Sequence, residues 1–262
     1  MDGHPDTVAA WLEALEARHL ADLTFPEVRR AVQALSSLWV ERRDRIERGA
    51  ALDGAGKRAA FALYFAPLHF LLVRETVRAL GAASLSPRRI ADLGCGTGPA
   101  GAAWALEAQA RPMLLGIDRS PWALVEARWN WSRLGLSGAT RIADIARAGS
   151  APAGDAIVAA FAVNELDAGA RERLLVRLCA DAGQGARVLV VEPLARSATR
   201  WWDSWAEAFI AIGGRADEWR FRLDLPPLLA RFDRAAGLHH QETGVRSLYT
   251  VGRFPAGSSS PA

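Results

Sequence analysis

The run Arg89-Ile-Ala-Asp-Leu93, followed at once by Gly94-Cys-Gly-Thr-Gly98 and Pro99, restricts the fold of this chain more than any other segment. The first five residues read as a short buried strand. Glycines at alternate positions then let the backbone turn sharply and approach a ligand closely, and Pro99 suits the first turn of a helix. Free amides at such a helix start favour a carboxylate or a phosphate. The glycines do not choose between ligands by themselves, because Gly96-Thr-Gly-Pro-Ala-Gly101 also satisfies the G-x-G-x-x-G dinucleotide pattern.

From this point on, short apolar runs at 89–93, 113–118, 140–144, 156–162 and 187–192 alternate with helical patterns. That alternation is the signature of a parallel sheet wound with crossover helices. A further helix is expected around 197–212, and a last apolar run spans 247–252. Upstream, residues 6–82 read as helices only, with Val28, Val32, Leu35 and Leu38-Trp39 at spacings of three and four. Thr24 has the character of a helix cap, with Pro26 and Glu27 in first-turn positions. A turn at Asp53-Gly-Ala-Gly56 leads into a helix over 57–80 that Pro67 should break or bend. The expected organisation is a helical N-terminal cap over 1–85, an α/β domain over 86–254 and a disordered Pro/Gly/Ser-rich tail over 255–262.

Composition narrows the function classes. The 262 residues include 32 basic and 29 acidic ones, for a net charge of +3, spread evenly along the chain. Phosphate-backbone binding usually leaves a basic footprint, and none is visible, although folding can gather scattered charges. Cys95 and Cys179 are the two cysteines, and their spacing suggests neither a disulfide framework nor a metal site. A reducing cytoplasm fits best. The N-terminus lacks the pattern of a signal peptide, and the longest apolar run, 59–73, reads as too short to span a membrane.

Three acids favour S-adenosylmethionine over a dinucleotide. Asp92 precedes the first glycine, where its carboxylate could accept a bond from an amino group, directly or through water, and would repel a pyrophosphate. Asp118, in Gly116-Ile-Asp-Arg-Ser-Pro121, ends the second strand, where a carboxylate can take both ribose hydroxyls of either cofactor. Asp144-Ile145 ends the third strand, within reach of an adenine amino group.

On Ile90-Ala-Asp-Leu-Gly-Cys-Gly-Thr-Gly98, Gly116-Ile-Asp-Arg-Ser-Pro121, Ala143-Asp-Ile145 and Phe161-Ala-Val-Asn-Glu-Leu166, the chain resembles the class I S-adenosylmethionine-dependent methyltransferases over roughly 86–254. The resemblance implies an α/β, Rossmann-like, seven-stranded and mostly parallel sheet with an antiparallel last strand. It assigns the cofactor to Asp92, Gly94, Gly96, Gly98, Asp118 and Asp144, and Cys95, Arg119, Ile145 and Phe161, in the same segments, are further candidate cofactor residues. The aromatic-x-x-Asn-Glu-Leu pattern at Phe161 to Leu166, with the helical N-terminal region, also resembles methyltransferase-like proteins associated with the mitochondrial small ribosomal subunit and their bacterial relatives. Members of that group carry further cysteines suited to an iron–sulfur cluster. This chain lacks them, so of that group's properties the resemblance implies ribosome association only.

Methyl transfer from a sulfonium is an in-line displacement on an activated donor, so positioning and exclusion of water can supply much of the rate. Asn164 and Glu165, after the fourth strand, are the candidate catalytic residues, since strand carboxyl ends face the ligand crevice. Glu165 reads equally as a helix cap or an arginine partner. Base-amino methyltransferases of nucleic acids place a proline pair here, whereas this chain has Asn164-Glu-Leu-Asp167, which disfavours that reaction. Tyr64 and His69, in the helix preceding the sheet, are candidate substrate residues, with simple packing as the alternative. Trp201, Trp202, Trp205 and Trp219, interleaved with Arg200, Arg215, Arg220 and Arg222, could form an aromatic and cationic wall in which Trp201 touches substrate; packing again is the alternative. His239 and His240 would point to opposite faces of a strand and make poor partners for one metal. The expected function is methyl transfer to a small molecule, a protein or RNA. The other readings are a catalytically silent S-adenosylmethionine-binding factor in ribosome or RNA–protein assembly, and a nucleotide-cofactor oxidoreductase.

Overall fold

Ser120, Asp144 and Asp167 each accept a hydrogen bond from a backbone amide two or three residues further on, and each marks the point where a strand or loop hands over to a helical turn. These handovers punctuate a computed structural model that describes residues 4–41, 53–84, 86–152, 154–195, 199–238, 240 and 242–251. The 255–262 tail, His239 and the side chains of Leu38 and Trp39 lie outside the described residues.

The strands are β1 (Arg89–Leu93), β2 (Met113–Asp118), β3 (Gly138–Ile142), β4 (Ala156–Ala160), β5 (Arg187–Pro193), β6 (Arg215–Arg222) and β7 (Glu242–Thr250). They form one sheet in the order β3-β2-β1-β4-β5-β7-β6. The pairs among β1 to β5 are parallel, and β7 runs antiparallel to both of its neighbours. The expected sheet and its reversed last strand are therefore present. The third strand starts and ends two residues earlier than expected, because Asp144 is used as a cap for the 3-10 turn Ile145–Arg147. Strand order reverses between β1 and β4, which opens a crevice at their carboxyl ends.

Helices α1 (His4–His19), α2 (Phe25–Glu41), α3 (Ala55–Ala60), α4 (Ala66–Ala79), α5 (Pro99–Glu107) and α6 (Pro121–Arg133) lie on one face of the sheet. The first four do not stand apart from it: Leu15, Val28, Leu63, Ile90 and Trp104 belong to a single core. Thr24 caps α2 as expected, its amide donating to the Glu27 carboxylate at 2.7 Å, one half of a capping box. On the other face, α7 (Ala168–Gly183) and α8 (Trp202–Ala211) cover a second core built on Val188, Val190, Trp205 and Phe209. Helix α9 (Pro227–Ala235) joins the first core through Phe232, which stacks on Phe25 at 4.6 Å.

Pro67 neither breaks nor sharply ends its helix. The chain stays helical from Ala55 to Ala79, and a π-turn at Phe61–Phe65, closed by the Ala66 amide on the Phe61 carbonyl, sits just before the proline. Proline has no amide to return to the carbonyl four residues back, and the widened turn accommodates that loss. This continuous helix is long and apolar enough to cross a membrane, contrary to the reading of 59–73 as too short, but 78% of its apolar window is buried inside the protein. The sheet and its neighbouring helices account for its hydrophobicity.

Candidate active site

The glycine loop is held from three sides. Beneath it, the Gly94 and Cys95 amides both donate to the Ile117 carbonyl, at 2.8 and 3.2 Å. From β2, Asp118 Oδ2 accepts from the Gly96 amide at 2.8 Å while Oδ1 accepts from the Ser120 amide at 2.8 Å. From α6, Trp131 donates to the Gly98 carbonyl at 2.9 Å and Asn130 to the Thr97 carbonyl at 2.9 Å, and Asn130 in turn accepts from Trp11 of α1 at 2.8 Å. The N-terminal helix thus reaches the loop through one intervening side chain.

Each glycine has its own reason. A Cβ on Gly94 would lie 2.5 Å from the Ala162 Cβ, and one on Gly98 would run into the Trp131 indole. Both positions also have left-handed backbone, φ +70° and +82°. A Cβ on Gly96 would meet nothing nearer than the Phe61 ring at 3.5 Å. Gly96 is therefore bare toward the crevice rather than toward the core, and a ligand there can sit on backbone.

The acids divide their work differently from the expectation. Asp92 is 1% exposed, and its Oδ2 accepts from the Gly101 amide at 2.8 Å. Burial pushes its carboxyl up to about 7, against the opposing Gly101 bond and with a smaller push from Asp118. It locks α5 to β1 from beneath, rather than opening onto the crevice. Cys95 is likewise buried, its Sγ against Gly116, and its thiol is pushed up by burial; only its backbone is left to face a ligand. Asp118 is half-buried at the rim. Its two amide bonds leave each oxygen a second lone pair. Asp144 caps Ala146 at 3.0 Å and pairs with Arg119 across the ends of β2 and β3, while Ile145 is buried beside it.

On the β4 side, Phe161 is the one non-glycine residue with positive φ among the described residues, at +56°. Holding a bulky aromatic there costs on the order of 1–3 kcal/mol. Its amide donates to the Val191 carbonyl at 2.8 Å and its ring stacks on His69 at 3.9 Å and 17°. His69 is partly accessible yet walled by protein, and burial, helped by His240, lowers it to about 3. It is a neutral ring. Glu165 has the same character: its surface is open to solvent, its carboxylate has no hydrogen-bond partner among the described residues, and burial with the Asp118 charge raises it to about 7 while Arg119 opposes. Asp167, not Glu165, caps α7.

Asn164 is held rather than free. Its Nδ2 donates to Glu192 Oε2 at 2.5 Å, and its Oδ1 accepts from Trp201 at 2.8 Å. Glu192, fully buried at the end of β5, also accepts from the Val163 amide at 2.9 Å. Sequence reasoning missed it, although a glutamate ending an otherwise apolar strand run was a signal.

The aromatic and cationic wall does not exist as one surface. Trp202 and Trp205 are buried in the core under α8, while Trp219 faces the first core from β6. Arg220 and Arg222 are exposed at alternate positions of the same strand, as a period of two requires. Tyr64 is fully buried and its hydroxyl donates to Asp233 Oδ1 at 2.5 Å. His240 is not on a strand: it sits in the turn before β7, with Nδ1 2.8 Å from Tyr64 and 3.0 Å from Asp233. Asp233 and His240 were not legible as site residues. A cavity of about 170 Å³ lined by Leu115, Ile117, Arg141 and Arg177 lies on the opposite side of β1 and β2 from α5 and is not this site.

No family model and no curated protein matches the sequence. Among solved structures, a Nostoc punctiforme protein described as an O-methyltransferase superimposes with a TM-score of 0.52 at 14% identity, over 88% of this chain and 72% of that one. The chain has the class I methyltransferase fold. The plantazolicin methyltransferase BpumL, solved with S-adenosylhomocysteine, has a TM-score of 0.48 at 13% identity, over 87% of this chain and 97% of that one. A Pyrococcus horikoshii protein described as an RNA methyltransferase has 0.47 at 14%, over 88% and 100%. A dinucleotide-binding sheet of the common 3-2-1-4-5-6 order has no antiparallel strand between its fifth and sixth; the methyltransferase fold of this chain does.

Proposed function

We propose that this chain is an S-adenosylmethionine-dependent methyltransferase that delivers the methyl group by in-line displacement to an acceptor bound at the β4 end of the crevice. The observation that carries the reading is the joining of Gly96 to Asp118 by a 2.8 Å hydrogen bond at the point where strand order reverses. It places a backbone cradle without side chain beside a carboxylate with lone pairs to spare. The cradle suits the methionine portion and the carboxylate the ribose hydroxyls, with Asp144, Arg119 and Ile145 bordering the adenine. Gly96 fits the cofactor in particular, since a Cβ there would fill the cradle. When bound, S-adenosylmethionine supplies the activated methyl group. The protein holds the loop through Asp92, Asn130 and Trp131, screens the crevice with Phe61, and shapes the acceptor side with Phe161, Asn164 and Glu165.

Titration calorimetry with S-adenosylmethionine and with NAD(H) is the direct test. Binding of the first and not the second is expected, and the reverse would return the oxidoreductase. Labelled methyl transfer into fractions of an extract from cells lacking the protein then reads catalysis. Co-sedimentation with ribosomal subunits, with cofactor binding but no labelled product, would replace catalysis with a silent role in assembly.

A further inference from the structure

Tyr64, Asp233 and His240 come from the π-turn, from α9 and from the turn before β7, and they meet in one hydrogen-bonded cluster against the helical segment that also carries Phe61 and His69. Asp233 Oδ1 accepts the Tyr64 hydroxyl proton at 2.5 Å. The tyrosine has one proton to give, and it is committed. His240 Nδ1 stands 2.8 Å from the Tyr64 oxygen and 3.0 Å from the same carboxylate oxygen, both of which have only lone pairs to offer it. Nδ1 must therefore carry the hydrogen, and the neutral ring keeps its lone pair on Nε2. The His240 amide, 3.3 and 3.4 Å from the two Asp233 oxygens, fixes the same arrangement from the backbone. The ring remains about a third exposed, and Nε2 has no hydrogen-bond partner among the described residues.

The position relative to the crevice follows from the helix that carries Tyr64. The π-turn puts Phe61 over Gly96 of the cradle, and the next turns put His69 against Phe161 at the end of β4. The Tyr64 and His240 rings lie 6.0 Å apart in an edge-on arrangement. The groups in contact with His240 are thus Asp233 and Tyr64, with His69 further along the Tyr64 helix, and Glu165, Asp118 and Arg119 stand at or just beyond the ends of β4 and β2. A neutral aromatic wall of Phe61, His69 and Phe161 favours a flat, uncharged group and offers an anion nothing.

Resting on the methyl-transfer reading, we propose that His240 Nε2 is the general base of the reaction, oriented by Asp233 and Tyr64, and that the acceptor is a flat neutral group presenting an O–H or N–H. As the acceptor oxygen or nitrogen forms its bond to the methyl carbon, the carbon–sulfur bond breaks and leaves its electron pair on sulfur as a neutral thioether. The acceptor proton passes to His240 Nε2, and the imidazolium so formed is stabilised by the Asp233 carboxylate.

The test uses the full-length chain, tritium-labelled S-adenosylmethionine, and the acceptor fraction of an extract from cells lacking the protein. His240→Gln should lower transfer at least about 100-fold, the ordinary range for loss of a general base, while S-adenosylhomocysteine affinity by calorimetry stays within about twofold. His240→Ala should regain activity when imidazole is added, a response that a structural role would not produce. Asp233→Asn keeps the shape of the cluster and should also slow transfer, with the wild-type pH profile altered. A His240→Gln protein that binds S-adenosylhomocysteine and transfers label within threefold of wild type overturns the assignment. So does a wild-type protein that binds the cofactor and labels no fraction. Failure of the wild type to bind S-adenosylhomocysteine is read separately and defeats the methyl-transfer reading itself.

Discussion

The Gly96 amide and the Asp118 carboxylate are bonded to each other across the ends of β1 and β2, so the loop that would carry one end of the cofactor is positioned by the residue that would hold its middle. Asp118→Ala removes both functions together. Cofactor affinity should fall by roughly 10- to 100-fold, the equivalent of about 1.5–3 kcal/mol for hydrogen bonds to a charged group. Calorimetry with S-adenosylhomocysteine checks it, and unchanged affinity would remove Asp118 from the site.

Gly98→Ala and Gly96→Ala should separate packing from binding. At Gly98 the new methyl meets the Trp131 indole on backbone of φ +82°. Strain and overpacking together should cost about 2–4 kcal/mol, seen as a drop in Tm on the order of 10 °C. At Gly96 the backbone is also left-handed, φ +50°, which costs about 1 kcal/mol, but the nearest atoms are 3.5 Å away, so without overpacking stability should fall less than at Gly98 while cofactor affinity falls at least about tenfold. Equal losses of stability in the two variants would contradict this division.

Asp92 makes stability depend on pH in an unusual direction. The folded state keeps its proton up to about 7, whereas the unfolded chain releases it near 3.8. Between these values the folded state binds more protons, so this contribution is present below about pH 4 and is lost as pH rises toward 7. Asp92→Asn retains an oxygen for the Gly101 amide and carries no charge. Urea unfolding should show the variant gaining about 2–4 kcal/mol relative to wild type between pH 4 and pH 8. A constant difference across that range would show that Asp92 stays ionised when buried.

Glu126 works in the opposite sense. Burial alone would raise its pKa, but His19 at 3.3 Å and Arg18 at 2.7 Å outweigh that and hold it to about 2. Its contribution is present above the ordinary value of 4.5 and is lost as pH falls toward 2. These bonds fasten α1 to α6, so acidification should loosen α1 first. Hydrogen exchange measured at pH 3 and pH 6 should show protection in His4–His19 falling before protection in β1; simultaneous loss would mean that α1 is not a separate unit.

Glu192→Gln tests the support beneath the candidate residues after β4. The carboxylate accepts from the Val163 amide and from Asn164 Nδ2. Glutamine supplies one oxygen and sets an N–H against a donor, at a cost of about 1–3 kcal/mol. Tm should fall by several degrees, and a variant as stable as wild type would show that Asn164 is held by Trp201 alone.

The local chain already determined the sheet. Its apolar runs and turn glycines place β1, β2, β4 and β5 within a few residues, and Asp118 announces itself by ending a strand after a glycine loop. These signals are local because strand burial, helix capping and positive φ depend on a residue and its near neighbours. Folding alone decided which acids face the crevice. Asp92 and Asp118 look alike in sequence, yet one is sealed beneath α5 and the other stands at the rim, since the direction of a carboxylate depends on what packs against its strand. The tryptophans of 201–219 were separated by the sheet that passes between them. Tyr64, Asp233 and His240 are distant along the chain, and no periodicity connects them. Only the docking of α9 and the final turn against the π-turned helix gives the histidine a carboxylate to orient it.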